Sequence, residues 1–393
     1  MDRPVIIETP LSVRSSVEKL VVRPWSRDIL TPAFLRQWKD LARRSVTPNP
    51  FLEPEFVLAA LDHLQDLADP VFLTIDDPQG RLLGLGLFEE VAGSRRLPIP
   101  HLRSWQTPHT YLDSLLLDRR VADEASAAFW HYLAEGHHSW HGVEFPQLRL
   151  GDTFDSIFHG AAGTANVEFS DNKSWSRATL RTDQSPEQMS RGISSKRAKS
   201  LRRGWHELER RGPTTFHLDR CDGATVAGPV DEFLRLEALG WKAEQGTALD
   251  CCEDQRGFFR AMMSAFAASG RTLFSRIEVG GETVATVAHI LSGEGAFAFK
   301  LGWDPSLERG CPGFQLKSQL VEHAEQLLPE TRWVDSCSTE GSFIEHVWAD
   351  RSEFRHRLYL TSRAASVAAS VVGKVRVLRD VLLGRSPATT ERK

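Results

Sequence analysis

Long apolar runs, a secretion signal, a cysteine framework and an excess of charge are all missing from this chain, and each absence narrows its class. No apolar run approaches the roughly 18 residues of a membrane span. The opening stretch MDRPVIIETPLSVRSS has no apolar core of the kind that a signal peptide needs. Cys221, Cys251, Cys252, Cys311 and Cys337 show neither metal-ligand spacing nor an even framework, so a reduced, cytoplasmic setting and metal-independent chemistry are expected. The net charge of −4 supplies no global pull towards nucleic acid or membrane, and any such contact must be local. Tyrosine is scarce as well: only Tyr111, Tyr132 and Tyr359 occur.

What is there suits a globular protein. With 393 residues, 41% hydrophobic and 25% charged, the chain has the length for two domains or one large one. The most informative stretch is 273–337. Leu273–Leu291 predicts a hairpin turned at Gly280-Gly281, Ala296–Asp304 a strand, and Arg332–Ser338 a short last strand. Between the last two, Gly310, Pro312 and Gly313 open a segment with Leu316, Leu320, Ala324 and Leu327 at helical spacing. A glycine turn feeding a helix start is an anion site in principle, because unpaired N–H groups and the helix dipole point outward there.

The same order of elements occurs earlier. Phe34-Leu35-Arg36 recurs as Phe233-Leu234-Arg235, an offset of 199; Phe56 aligns with Phe258 and Phe72 with Phe274, both at 202. In the first half the later elements are expected near Ser104–Leu116 (strand), Asp123–Gly136 (helix) and Phe145–Leu150 (strand). Such offsets predict an α+β protein of two tandem domains: a tail at 1–16, a first domain at 17–178, a second at 179–363 and a basic tail at 364–393. The halves differ where chemistry would sit. The first carries a Pro- and His-rich stretch at 95–113, and its helix opens on Asp123-Glu124, which would repel a phosphate. It is therefore expected to form a substrate wall, and the second half to bind the donor.

Several residues are candidates for that chemistry. Lys300 stands in an apolar strand, where an ammonium is costly unless paired or functional. Strict alternation places it with Ala298 and Gly302 on the smaller face, either facing a cleft or paired with Asp304 or Asp335. Asp335, at the end of the last strand, either binds a substrate amine or acts as base, or else pairs with Lys300 or Arg332. Glu237, Trp241 and Lys242 close a helix and could line the acceptor site, or simply pack. Arg309, Gly310 and Gly313 form the donor turn. The segment 191–212 is strongly basic with an apolar face of Leu201, Trp205 and Leu208, and reads as a solvated helix, an anion contact or an RNA contact. In the tail, Val367, Val371, Val375, Leu378 and Leu382 recur at helical spacing among basic residues, so that it either lies on an anionic membrane surface or packs back on the second domain.

Phe233–Thr247 (FLRLEALGWKAEQGT), Phe297–Asp304 (FAFKLGWD), Pro312–Leu316 (PGFQL), Val334–Ser338 (VDSCS) and Asn49–Phe56 (NPFLEPEF) together resemble the GNAT acyltransferase superfamily. The branch is the tandem-domain one found beside bacterial cellulose and exopolysaccharide biosynthesis genes, similar in architecture to the Fem-type transferases. The resemblance implies, in each domain, a mixed, mainly antiparallel twisted sheet flanked by helices. It implies acyl transfer from acetyl-CoA or another acyl-CoA, used as co-substrate, to an amine or hydroxyl of a small-molecule or saccharide-linked acceptor. Arg309, Gly310, Gly313 and Phe314 would then hold the donor. Glu237, Trp241 and His346 would hold the acceptor, with Lys300, Asp335 and Lys242 at the reacting groups. Aminoacyl transfer from tRNA, as in Fem enzymes, and an inactive scaffold for a polysaccharide synthesis complex are the alternatives. Two departures stand out. The usual pyrophosphate loop is reduced to Arg309, Gly310 and Gly313, and no tyrosine lies between Ser338 and Asp350, just after the last strand, so that Cys337, Ser338 or His346 would have to serve as the acid.

Overall fold

The structure, a computed structural model, describes residues 20–136, 138–239, 248–327 and 329–382, without the side chains at 186, 325–327 and 376–382. Among the described residues thirteen strands form one continuous sheet: β1 (Val21–Trp25), β2 (Val71–Asp76), β3 (Leu82–Val91), β4 (His101–Ser104), β5 (Leu116–Leu117), β6 (Gly142–Arg149), β7 (Glu168–Arg181), β8 (Thr214–Cys221), β9 (Thr272–Val279), β10 (Glu282–Ser292), β11 (Gly295–Trp303), β12 (Trp333–Asp335) and β13 (Asp350–Leu360). The spatial order is β1-β2-β3-β4-β6-β13-β7-β12-β11-β10-β9-β8, with β5 beside β3. The described helices used below are α1 (Pro32–Arg44), α2 (Pro54–His63), α3 (Ala122–Glu135), α4 (Thr153–Thr164), α5 (Ser195–Glu209), α6 (Ala227–Glu237), α7 (Glu253–Ala267), α8 (Pro312–Leu327) and α9 (Arg363–Leu382).

The repeat is visible in this order. A strand and two helices (β1, α1, α2) lead to the β2–β3 hairpin, β4, α3 and β6; β8, α6 and α7 lead likewise to β9–β10, β11, α8 and β12. Within each half the last strand is parallel to the one before the helix, while the other pairings are antiparallel. The Gly280 and Gly281 φ values of +63° and +88° turn the β9–β10 hairpin as its sequence predicts. The strand expected over Ser104–Leu116 is not formed. β4 ends at Ser104 and the chain crosses as a loop to the two-residue β5, because Pro108 and the hydrogen-bonding Gln106, Thr107 and Thr110 favour turns.

Two strands weld the halves. β13, from the end of the chain, pairs antiparallel with β6 of the first half and with β7, and β7 passes residues 178 and 179 to pair with β12. One apolar cluster spans both halves on one side of the sheet, from Phe34, Trp38, Phe56 and Phe72 to Phe233, Phe258, Phe274 and Phe297. On the opposite side α3 and α4 cover the first half and α5 and α8 the second, giving a helix–sheet–helix arrangement.

Candidate active site

β11 and β12 pair only from Gly295–Phe297 to Trp333–Asp335. Beyond that β11 runs on to Trp303, while the other strand turns away at Cys337, whose φ is +50°. The sheet therefore opens between them. A β-bulge lies at the mouth: His289 faces Ala298 and Ala288 faces Lys300, leaving Phe299 as the extra residue. The bulge exchanges the faces of β11. Ala296 and Ala298 face α8, and so do Leu301 and Trp303 after it. Lys300 and Gly302 therefore turn towards α6, where a Cβ on Gly302 would stand 2.8 Å from the Glu237 nitrogen. Strict alternation misplaces Lys300 for this reason: it shares the side of Phe297 and Phe299.

The Lys300 Nζ donates to the Tyr111 hydroxyl at 3.4 Å and lies 5.5 Å from the Phe299 ring centroid. Burial pushes its pKa down, against the opposing pull of Glu237 and Cys337. Neither aspartate proposed as its partner serves. Asp304 caps the turn after β11 by accepting from the Ser306 N–H at 2.8 Å. Asp335, fully buried, takes Arg177 from β7, at 3.4 Å from Nη1 to each carboxylate oxygen, and accepts from the Cys337 N–H at 2.8 Å. The same Arg177 nitrogen donates to the Tyr111 carbonyl at 2.8 Å. A buried pair thus fixes the loop that carries Tyr111.

That loop comes from the first half. There, β4 and β6 also diverge, but the gap is filled by the loop itself. Asp113 accepts from Gln106 Nε2 at 2.7 Å and from the Gln147 N–H at 2.6 Å, and burial raises its pKa to about 6. The outer side of the loop lies against the second half, where His109 stacks on Phe258 at 5.0 Å and Tyr111 meets Phe299 at 5.8 Å.

The donor turn is built differently from its expected design. A Cβ on Gly310 would stand 2.3 Å from Leu208 Cδ2, and one on Gly204 would stand 2.8 Å from the Gly310 carbonyl oxygen. Gly310 is therefore buried in a close crossing with α5. A Cβ on Gly313 would stand 3.2 Å from Leu301 Cδ2. What remains at the start of α8 is an exposed Arg309, Cys311 at φ +51°, and Phe314, whose ring lies 4.9 Å below the Arg197 guanidinium of α5 and 4.6 Å from Phe343. The basic segment thus reaches the start of α8 through Arg197. His346 is exposed at the end of the short turn that carries Phe343. Glu237 is buried and accepts from the Leu249 N–H at 2.8 Å, bracing the end of α6 beside Lys300. Trp241 and Lys242 lie outside the described residues.

Three residues were not singled out by sequence. Tyr111 was visible only as a rare tyrosine within the 95–113 stretch. Arg177 sits in a strand with no local signal of its role. Lys317, on the sheet side of α8, is 1% exposed, lies 4.9 Å from the Trp348 ring, and has its pKa brought down to about 7 by burial. Cys337 feels both lysines; burial and Asp335 hold its thiol well above the usual range, so it stays protonated.

The family model of the acetyltransferase (GNAT) domain matches residues 195–337, from α5 to Cys337. No curated protein matches the chain. Among solved structures, FemX is similar with a TM-score of 0.54 at 8% identity, over 83% of this chain and 95% of that one. The C-terminal domain of a putative lysylphosphatidylglycerol synthetase from Agrobacterium fabrum is similar with a TM-score of 0.51 at 12% identity, over 88% and 95%. A protein of unknown function from Bacteroides thetaiotaomicron reaches 0.50 at 11%, over 84% and 98%. Residues 195–337 thus match the acetyltransferase (GNAT) domain model, and the whole chain shares the fold of these solved structures.

Proposed function

We propose that the chain transfers an acyl group from acyl-CoA to an amine, or a hydroxyl, bound between the opened strands and the first-half loop. The observation that carries this is the half-buried Lys300 beside the β11 bulge, facing Tyr111 across the gap, within the span that the GNAT model matches. A bulge leaves backbone groups unpaired, and an N–H freed there can donate to a thioester carbonyl oxygen.

The residues at the α8 start fit the donor. Arg309 and Arg197 flank a helix N-terminus, a combination that favours a pyrophosphate. Acyl-CoA supplies an activated carbonyl with a thiol leaving group. Lys300, with its lowered pKa, takes the proton that the acceptor nitrogen sheds as it bonds to the carbonyl carbon. The Tyr111 hydroxyl, or the protonated Cys337 thiol, returns a proton to the departing sulfur. Asp335 acts through Arg177 to hold Tyr111 and does not itself meet substrate. The resemblance to the polysaccharide-associated branch supports an acceptor from bacterial exopolysaccharide or cell-envelope metabolism, and a saccharide-linked amine within that class.

Thermal unfolding with acetyl-CoA and longer acyl-CoAs tests the donor. A ligand at 100 times its Kd should add about 2.7 kcal/mol of stability. No shift with any acyl-CoA would overturn the proposal and favour a scaffold. Salt-sensitive binding of tRNA without acyl-CoA binding would instead make the chain an aminoacyltransferase.

A further inference from the structure

α9 leaves β13 and packs by its alanines: Ala365 is fully buried, and Ala368 and Ala369 lie against Leu97, Leu358 and Leu360. It thus packs on Leu97 and Ile99 of the first half and on Leu358 and Leu360 of β13. Its other side is bare. Val367, Val371 and Val375 are 65%, 55% and 61% exposed, the most exposed large apolar side chains among the described residues. They recur every four residues, so they form one stripe along the helix.

Charge decides what suits that stripe. Positions 362–393 hold seven basic and two acidic residues, whereas 1–361 hold 41 basic and 50 acidic, so +5 at the tail and −9 elsewhere make up the overall −4. Arg363, four residues before Val367, and Lys374, seven after it, are exposed beside the stripe. No acidic residue occurs between Arg363 and Arg379. An apolar stripe bordered by cations is the pattern of a helix lying in a lipid headgroup layer, where the apolar face enters the acyl boundary and long basic side chains reach anionic headgroups. The stripe carries only valine, without the aromatic anchors that make a protein hot spot. No described helix is long and apolar enough to cross a membrane, so contact would be along the surface.

We infer that α9 docks the protein on anionic lipid bilayers through Val367, Val371 and Val375, with the acidic body held off the surface. The step is independent of the acyl-transfer reading.

Co-sedimentation of the full chain with vesicles tests it. Binding is expected to vesicles of phosphatidylcholine mixed with phosphatidylglycerol, to be weak with phosphatidylcholine alone, and to fall as salt is raised. Val371→Asp and Lys374→Glu should each lower binding about tenfold or more while leaving the thermal unfolding midpoint unchanged, because both side chains are exposed. Failure of the wild type to bind anionic vesicles would overturn the inference. So would binding that both substitutions leave intact, or concentration-dependent self-association that Val371→Asp abolishes, which would make the stripe a contact between two copies.

Discussion

Phe56 and Phe258, which hold equivalent places in the two halves, meet edge to face with ring centroids 5.4 Å apart. A side chain can touch its own repeat equivalent only near the axis that relates the repeats, as in an isologous interface. α2 and α7 therefore meet at the centre of the core shared by the two halves, and His109 stacks on the same Phe258. Each Phe→Ala substitution should cost about 3–5 kcal/mol in denaturant unfolding. The double variant should lose about 0.5–1.5 kcal/mol less than the two singles together. Strict additivity would show that the rings do not interact.

Arg177 and Asp335 form a second tie, from β7 of the first half to β12 of the second. Removing one partner leaves a buried charge uncompensated. Arg177→Met should therefore cost about 3–5 kcal/mol, and adding Asp335→Asn should recover part of that loss. Equal stability of the single and double variants would contradict the pairing. Turnover should fall in both, because Tyr111 loses the Arg177 contact to its carbonyl.

Lys317 gives a pH signature. Burial brings its amine to about 7 from the ordinary 10.5. Between those values the unfolded chain keeps the proton and the folded chain does not, so this group makes stability rise with pH across that window. At pH 7 Lys317→Met should be more stable than the wild type, by on the order of a few kcal/mol, and the advantage should shrink by pH 10. A wild-type-to-variant difference that is flat with pH would show that the amine is not depressed. The variant also reports on the site, since Lys317 acts on Cys337.

Much of this was legible from residues. The Phe56–Phe258 and Phe72–Phe274 alignments, the Gly280-Gly281 hairpin and the helix after Pro312 all follow from spacing and turn chemistry, which are local. The face of Lys300 was not, because a one-residue bulge defeats alternation and leaves no mark in FAFKLGWD. The close packing of Gly310 on α5 was not legible either, because a glycine needed for a helix crossing reads the same in sequence as one that cradles a phosphate. Tyr111 and Arg177 gain their roles from contacts 189 and 158 residues away, to Lys300 and Asp335. Only the folded sheet brings those together. The tail's valines were legible as a stripe, but not the alanine face that seats the helix.

The central claim is that Lys300 and Tyr111 form the reacting centre. Thiol release from acetyl-CoA, followed with a panel of amine acceptors that includes amino sugars, tests it in the wild type, Lys300→Met and Tyr111→Phe. Both variants should keep the acetyl-CoA-induced thermal shift and lose roughly 10²–10⁴ in kcat for Lys300→Met, with a smaller loss for Tyr111→Phe. A folded Lys300→Met protein that turns over at the wild-type rate would contradict it.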